Sequence, residues 1–208
     1  MYPALPAPEK DTRKHIVEVT QRITFSRGVS VLRMEKLASE LGMSTKTLYT
    51  HYRSKEEVLD AAMAAHQAHY QAAFRALLES PNLDFLRRLR QTMHLGWEAN
   101  SKMTSEAAQD FRRNAPALWH KYEQQKHQSI QQHFERLLAE GQEQAFLRED
   151  LRLDIVMDIL MDVMTYQLSP SALYQRSYSV QQAQETFYRL MFEGVLNERA
   201  RQQYARLA

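Results

Sequence analysis

The 208-residue chain contains no cysteine. That excludes a disulfide framework, thiolate metal sites and cysteine nucleophiles. Glycine and proline are scarce, at 5 and 6 residues, roughly half their usual combined share of about 12%. Strand-rich folds need such residues at their many turns, so the shortage argues for long helices with few connections. No apolar run approaches the roughly 18 residues that span a bilayer, and no apolar block follows Met1 as in a signal peptide. Net charge is nearly absent as well, with 27 Lys and Arg against 25 Asp and Glu. A soluble, cytoplasmic, all-α protein of one or two small domains is expected, with no membrane contact.

The charge is unevenly distributed. Residues 61–208 hold 17 basic and 17 acidic side chains, whereas residues 12–55 hold 9 basic against 3 acidic, a net +6. A compact basic head on a neutral body is what contact with nucleic acid requires, because phosphate neutralisation supplies most sequence-independent affinity. A solvated helical face would carry the same charge, so charge only marks where to look.

Apolar periodicity gives about nine helices, at roughly 11–26, 34–41, 45–51, 55–79, 83–100, 104–112, 117–143, 152–168 and 180–200. Pro3, Pro6 and Pro8 mark residues 1–9 as a disordered arm. Residues 10–54 read as a DNA-binding head and 55–208 as a helical ligand-binding and dimerisation body. The fourth helix has a capping box, Ser54 accepting from the Glu57 amide while Glu57 reaches back. At roughly 35 Å it is long enough to join head to body.

Within the head, Leu37, Ala38 and Leu41 lie on one face of a two-turn helix. Gly42 then suits a left-handed turn position, and Ser44 can cap a second short helix that carries Leu48 inward. This is the spacing of a helix-turn-helix, in which the second helix enters the major groove. That helix offers Thr45, Lys46, Thr47, Tyr49, Thr50 and His51, and no acidic residue. Hydroxyls and lysine bond phosphates or base edges, and threonine methyls pack on thymine methyls. A structural hairpin with a polar face is the plainer alternative.

The same residues resemble the TetR family of one-component transcriptional regulators. The likeness runs from Ile16 to Leu59 through Gly28, Leu37-Ala38, Leu41-Gly42-Met43-Ser44, Thr47-Leu48-Tyr49, His51-Tyr52 and Ser54-Lys55-Glu56. It implies an N-terminal three-helix DNA-binding domain, a homodimer on a palindromic operator, and release by a small-molecule effector. It also implies that Thr45, Lys46 and Thr47 face DNA, Tyr49 meets the backbone, and His51 and Lys55 follow, Lys55 reaching a phosphate. The chain departs from the family at Thr20 and Thr24, where small residues and a phenylalanine are usual. It departs again at Leu32-Arg33, where threonine usually caps the second helix, and Arg33 is expected to contact phosphate instead.

In the body, large side chains recur at helical spacing, and such stripes are first of all core. Trp, Tyr, Met and His mixed together also suit an adaptable cavity. On that basis His66, Tyr70, Met93 and Trp97 are candidate effector-pocket residues, with Phe111, Trp119, Tyr122 and Met161. The lack of a charge cluster among them favours an apolar or aromatic effector. The segment 151–168 is apolar round most of its circumference, which places it at a core centre or in a subunit interface. Ile155, Ile159 and Val163 on it, with Phe187, Met191, Gly194 and Val195 on the last helix, form the expected four-helix dimer interface. Gly194 would allow close helix crossing there.

An enzyme is the rival class, and a helical adaptor the third. No histidine has Glu three residues before it, as a di-iron bundle needs, and no His-Glu-x-x-His, Gly-x-Ser-x-Gly or phosphate-loop motif occurs. His66 and His69 have metal-ligand spacing without an evident third ligand. No metal, cofactor or catalytic residue is expected, and an adaptor would leave the basic head unexplained.

Overall fold

The computed structural model describes residues 9–168, 173 and 176–206. Most of the expected arm lies outside them. The described residues form ten α-helices: α1 (Glu9–Arg27), α2 (Met34–Glu40), α3 (Thr45–His51), α4 (Lys55–Glu79), α5 (Phe85–Ser101), α6 (Ser105–Asn114), α7 (Pro116–Glu143), α8 (Leu153–Asp162), α9 (Val180–Val195) and α10 (Glu198–Ala205). A π-helical turn, Val163–Gln167, extends α8. Among these residues no helix is long and apolar enough to cross a membrane.

Two apolar cores share α4 and α7. The first unites α1, α2, α3 and the first half of α4 with Ala107, Ala108 and Phe111 of α6 and with Trp119 and Tyr122 at the start of α7. The second unites α5, the later part of α7, α8, α9 and Ala200 of α10. Thr20 and Thr24, the two departures in α1, are fully buried. Their hydroxyls donate to the Ile16 and Thr20 carbonyls at 2.8 Å, so the core receives them as satisfied groups. α2 starts without a side-chain cap: Arg33 occupies the cap position in an extended conformation and bonds nothing there.

Two expectations about helix ends change. Ser54 does accept from the Glu57 amide at 3.1 Å, but Glu57 Oε2 accepts from the Arg53 amide at 2.6 Å, one residue before the cap. The last expected helix, 180–200, breaks at Leu196-Asn197. There the Asn197 amide donates to Phe146 and the Arg148 amide to Val195, both at 3.0 Å. Asn197 also caps α10 by accepting from the Ala200 amide at 2.9 Å. The break is therefore made by Phe146 and Arg148, far upstream in the chain, in the turn after α7.

Arg88 stitches α4 to α5. It is nearly buried, donates to the Leu77, Ser80 and Leu83 carbonyls at 2.9–3.0 Å, and pairs with Glu140 of α7. Gly141 marks a close approach in the same region, since a Cβ there would stand 2.6 Å from Phe85 Cζ. Phe85 is buried and stacked on Phe146, so it cannot yield freely. Gly141→Ala should destabilise the chain by about 1–3 kcal/mol in urea unfolding. Gly194→Ala, with no heavy atom within 4 Å of its Cβ position, should leave the monomer's stability unchanged or raise it by up to ~1 kcal/mol.

Candidate nucleic-acid interface and internal cavity

In the head, α2 ends in a tight turn. Gly42 takes φ +65°, and the Met43 amide donates to the Ala38 carbonyl at 3.0 Å. Ser44 caps α3 by accepting from the Thr47 amide at 3.0 Å, and Leu48 is fully buried beneath. Lys46, Thr47, Tyr49 and Thr50 are thereby left exposed on one face, with Thr45 and His51 half-buried at its edge. The Thr50 hydroxyl donates to the Thr47 carbonyl, and the Ser44 and Thr47 hydroxyls pair at 2.7 Å. Arg33 is exposed at the start of α2. Arg13 stacks over the Tyr52 ring at 4.3 Å and donates to the His51 carbonyl, fastening the end of α3 to α1.

Lys55 is placed differently from the expectation. Its Nζ donates to the Val29 carbonyl at 2.7 Å, so the ammonium ties the start of α4 to the α1–α2 turn. Its first role is to hold that turn.

Opposite, α6 grips the same turn. The Ser30 amide donates to Asp110 Oδ2 at 2.9 Å, and Asn114 Nδ2 donates to Oδ1 at 2.7 Å. Gly28 has φ +88°, and a Cβ there would stand 2.4 Å from the Asp110 carboxylate. Burial opposes ionisation of Asp110, but bonds from Ser30, Asn114 and Val29 outweigh it and hold its pKa below the ordinary value. The Thr104 amide, just before α6, donates to the Phe25 carbonyl at 2.9 Å. Nothing in the sequence around Asp110 signalled this role.

The body contains a cavity of about 40 Å³ between α4, α5 and α7, lined also by Met164 and Tyr188. Of the expected pocket residues, His66, Tyr70 and Tyr122 line it; Met93, Trp97, Phe111, Trp119 and Met161 do not. Phe111 and Trp119 pack in the head's core, with Phe111 6.3 Å from Phe25. Met93 and Met161 are buried in the body's core, and Trp97 is half-buried against the exposed His94. Helical spacing identified buried faces without telling which void they face.

His133, Thr92 and Phe74 also line the cavity, and sequence reasoning missed them. The one available signal was His133's place on the Ile130–Phe134–Leu137 stripe. His133 Nε2 lies 3.0 Å from Thr92 Oγ1. His66 meets Phe25 of α1 and Tyr70 edge-on, each at 5.0 Å between ring centres, so it stands between cavity and head. Burial pushes both histidines down to about 4, aided by Lys126 at His66 and Arg136 at His133.

On the far side of the body, Ile155, Ile159, Tyr166 and Leu190 are exposed apolar residues. Val163, Phe187 and Met191 are half-buried, and Gly194 is exposed. Val195 is the exception among the expected interface residues. It is 4% exposed, packed into its own chain's core by the turn at Leu196-Asn197.

Residues 16–62 match the family model described as bacterial regulatory proteins, tetR family. The chain is 31% identical over 80 residues to the uncharacterized HTH-type transcriptional regulator YvaF of Bacillus subtilis, covering 38% of this chain and 42% of that one. It spans less than half the length of the curated relatives it matches. A transcriptional regulator from Saccharomonospora viridis, solved in complex with choline, has the same fold over 91% of this chain and all of its own, with a TM-score of 0.68 at 20% identity. A TetR transcriptional regulator from Chloroflexus aurantiacus matches over 90% of this chain and 98% of its own, with a TM-score of 0.67 at 13% identity.

Both cavity histidines stay neutral in the folded chain but protonate near 6.5 when unfolded. Stability is therefore fully present above about 6.5 and falls as the pH drops toward about 4. Urea unfolding between these pH values should show a slope of up to ~1.4 kcal/mol per pH unit per histidine. His66→Phe should roughly halve the two-histidine slope, and an unchanged slope would contradict the assignment.

Proposed function

We propose that the chain, whose residues 16–62 match the model of the tetR family of bacterial regulatory proteins, is a member of that family and a dimeric DNA-binding transcriptional regulator, a repressor released by a small molecule, and not an enzyme. The observation that carries the reading is the exposed face of α3, polar and free of acidic side chains, on a capped two-helix frame. Lys46, Thr47, Tyr49 and Thr50 meet the major groove, with Thr45, His51 and the capping Ser44 at its edge and Arg33 on a phosphate. Lys55 acts indirectly, by holding the turn at Val29. The reading carries with it a head at residues 10–54, a body at 55–208 and a cytoplasmic location.

The exposed apolar residues of α8 and α9, among them Ile155, Ile159 and Leu190, are covered by a second copy. A two-fold axis there sets two α3 helices on successive turns of a palindrome, about 34 Å apart, or multiples of that spacing.

The effector occupies the cavity between α4, α5 and α7. From it, displacement reaches the head by two routes. His66 presses on Phe25 of α1, and α6 moves the turn at Gly28–Ser30 through Asp110. A hundredfold loss of operator affinity requires the effector to favour the non-binding state by about 2.8 kcal/mol.

Selection of bound duplexes from a random pool should return a palindrome, and no enrichment would refute the reading. Lys46→Ala should cost ~1–3 kcal/mol and relax sequence preference, whereas Arg33→Ala should weaken all DNA alike and lower the salt slope by about 1. Ile159→Glu should give folded monomers in sedimentation, because Ile159 is already 51% exposed in the single chain. Persisting dimers would move the interface elsewhere.

A further inference from the structure

We infer that the cavity selects an uncharged, single-ring-sized molecule that presents a hydrogen-bond acceptor oxygen to His133, an inference that rests on the effector site proposed above. His133 is 5% exposed and Thr92 1%. Both line the cavity, and Nδ1 of His133 has no hydrogen-bond partner among the described residues. A buried hydroxyl hydrogen needs an acceptor, and the partner of Thr92 Oγ1 is His133 Nε2, at 3.0 Å. If Thr92 donates, Nε2 accepts, and the single proton of the neutral ring resides on Nδ1. That leaves, on a ring that lines the cavity, a buried N–H donor with no acceptor among the described residues, which is costly until one arrives.

The charges around the cavity narrow the class. Lys126 and Lys102 act on His66, as does His69 when protonated, and Arg136 acts on His133. Against them stand Glu98 beside Tyr70 and Glu123 beside Tyr122, but Glu98 is already paired with Lys102 at 3.3 Å, so a cationic ligand finds no free countercharge. A carboxylate would need a free countercharge, but Lys126 already stands 3.7 Å from Glu123, and an ion buried without a partner is unfavourable. Phe74, Ile130, Phe134 and Met164 supply apolar wall, and Gln67, Gln71, Asn100 and Ser129 supply uncharged polar groups. The cavity volume of about 40 Å³ exceeds the ~10–15 Å³ that one water needs. Phe74 and Ile130 are only half-buried, so they can give way to a ring.

Calorimetry on the intact protein at neutral pH with four matched probes tests this: acetophenone, ethylbenzene, benzoate and phenyltrimethylammonium. Acetophenone should bind about tenfold more tightly than ethylbenzene, one hydrogen bond's worth, and more tightly than either ion. His133→Phe should bind the two uncharged probes equally, while His133→Asn, whose amide N–H stands near the position of Nδ1, should keep the preference. Nitrogen NMR of the wild-type imidazole should show the Nδ1–H tautomer, which tests the donor even if the phenylalanine variant fails to fold. Equal affinity for acetophenone and ethylbenzene, tighter binding of either ion, no binding of any probe, or an Nε2–H tautomer would each overturn the inference. Binding is read without DNA. Operator affinity indifferent to bound acetophenone would therefore remove the effector reading and leave the ligand class standing.

Discussion

The Asp110 carboxylate holds the backbone turn that leads from α1 into the α2–α3 pair of helices. One oxygen receives the Ser30 amide and the other the Asn114 amide, while Gly28 fits against the carboxylate because it has no Cβ. From the other side Lys55 holds the Val29 carbonyl of the same turn. Three consecutive residues, Gly28 to Ser30, are thus clamped between α6 and the first turn of α4. A positive φ at Gly28 and a carboxylate in the space of a side chain leave little freedom. Displacement of α6 must carry the turn with it or break these bonds.

The rest of the molecule is arranged around that clamp. The head has no core of its own, because Ala107, Ala108 and Phe111 of α6 complete it. A small three-helix unit buries too little apolar surface to be secure alone, so sharing a core with α6 and α7 stabilises it. The same sharing packs it directly against the body. His66 faces the cavity with one side of its ring and meets Phe25 of α1 edge-on. Cavity, α1 and clamp form one contiguous packed path, and packed cores switch between discrete arrangements more readily than they deform.

Local chemistry was the legible part of the sequence. The α2–α3 pair could be read because its signals lie within a few residues: Gly42 in a left-handed turn, Ser44 as cap, Leu48 inward. The long α4 showed its start through Ser54 in the same way. Features set by distant partners were not legible. The break between α9 and α10 depends on pairing with residues 146–148, and Lys55 turned inward because the Val29 carbonyl lay within reach. Phe111 and Trp119 carried the right chemistry for a pocket and packed into the head's core instead. Periodicity tells that a face is buried. Only the fold tells against what.

If head and α6 are one mechanical unit, they open together. Native-state hydrogen exchange in low denaturant measures this directly. The slowest amides of α1, α3 and α6 should share one opening free energy and one denaturant dependence, while those of α9 need not. Opening of α1 and α3 at lower free energy with α6 still protected would contradict the account.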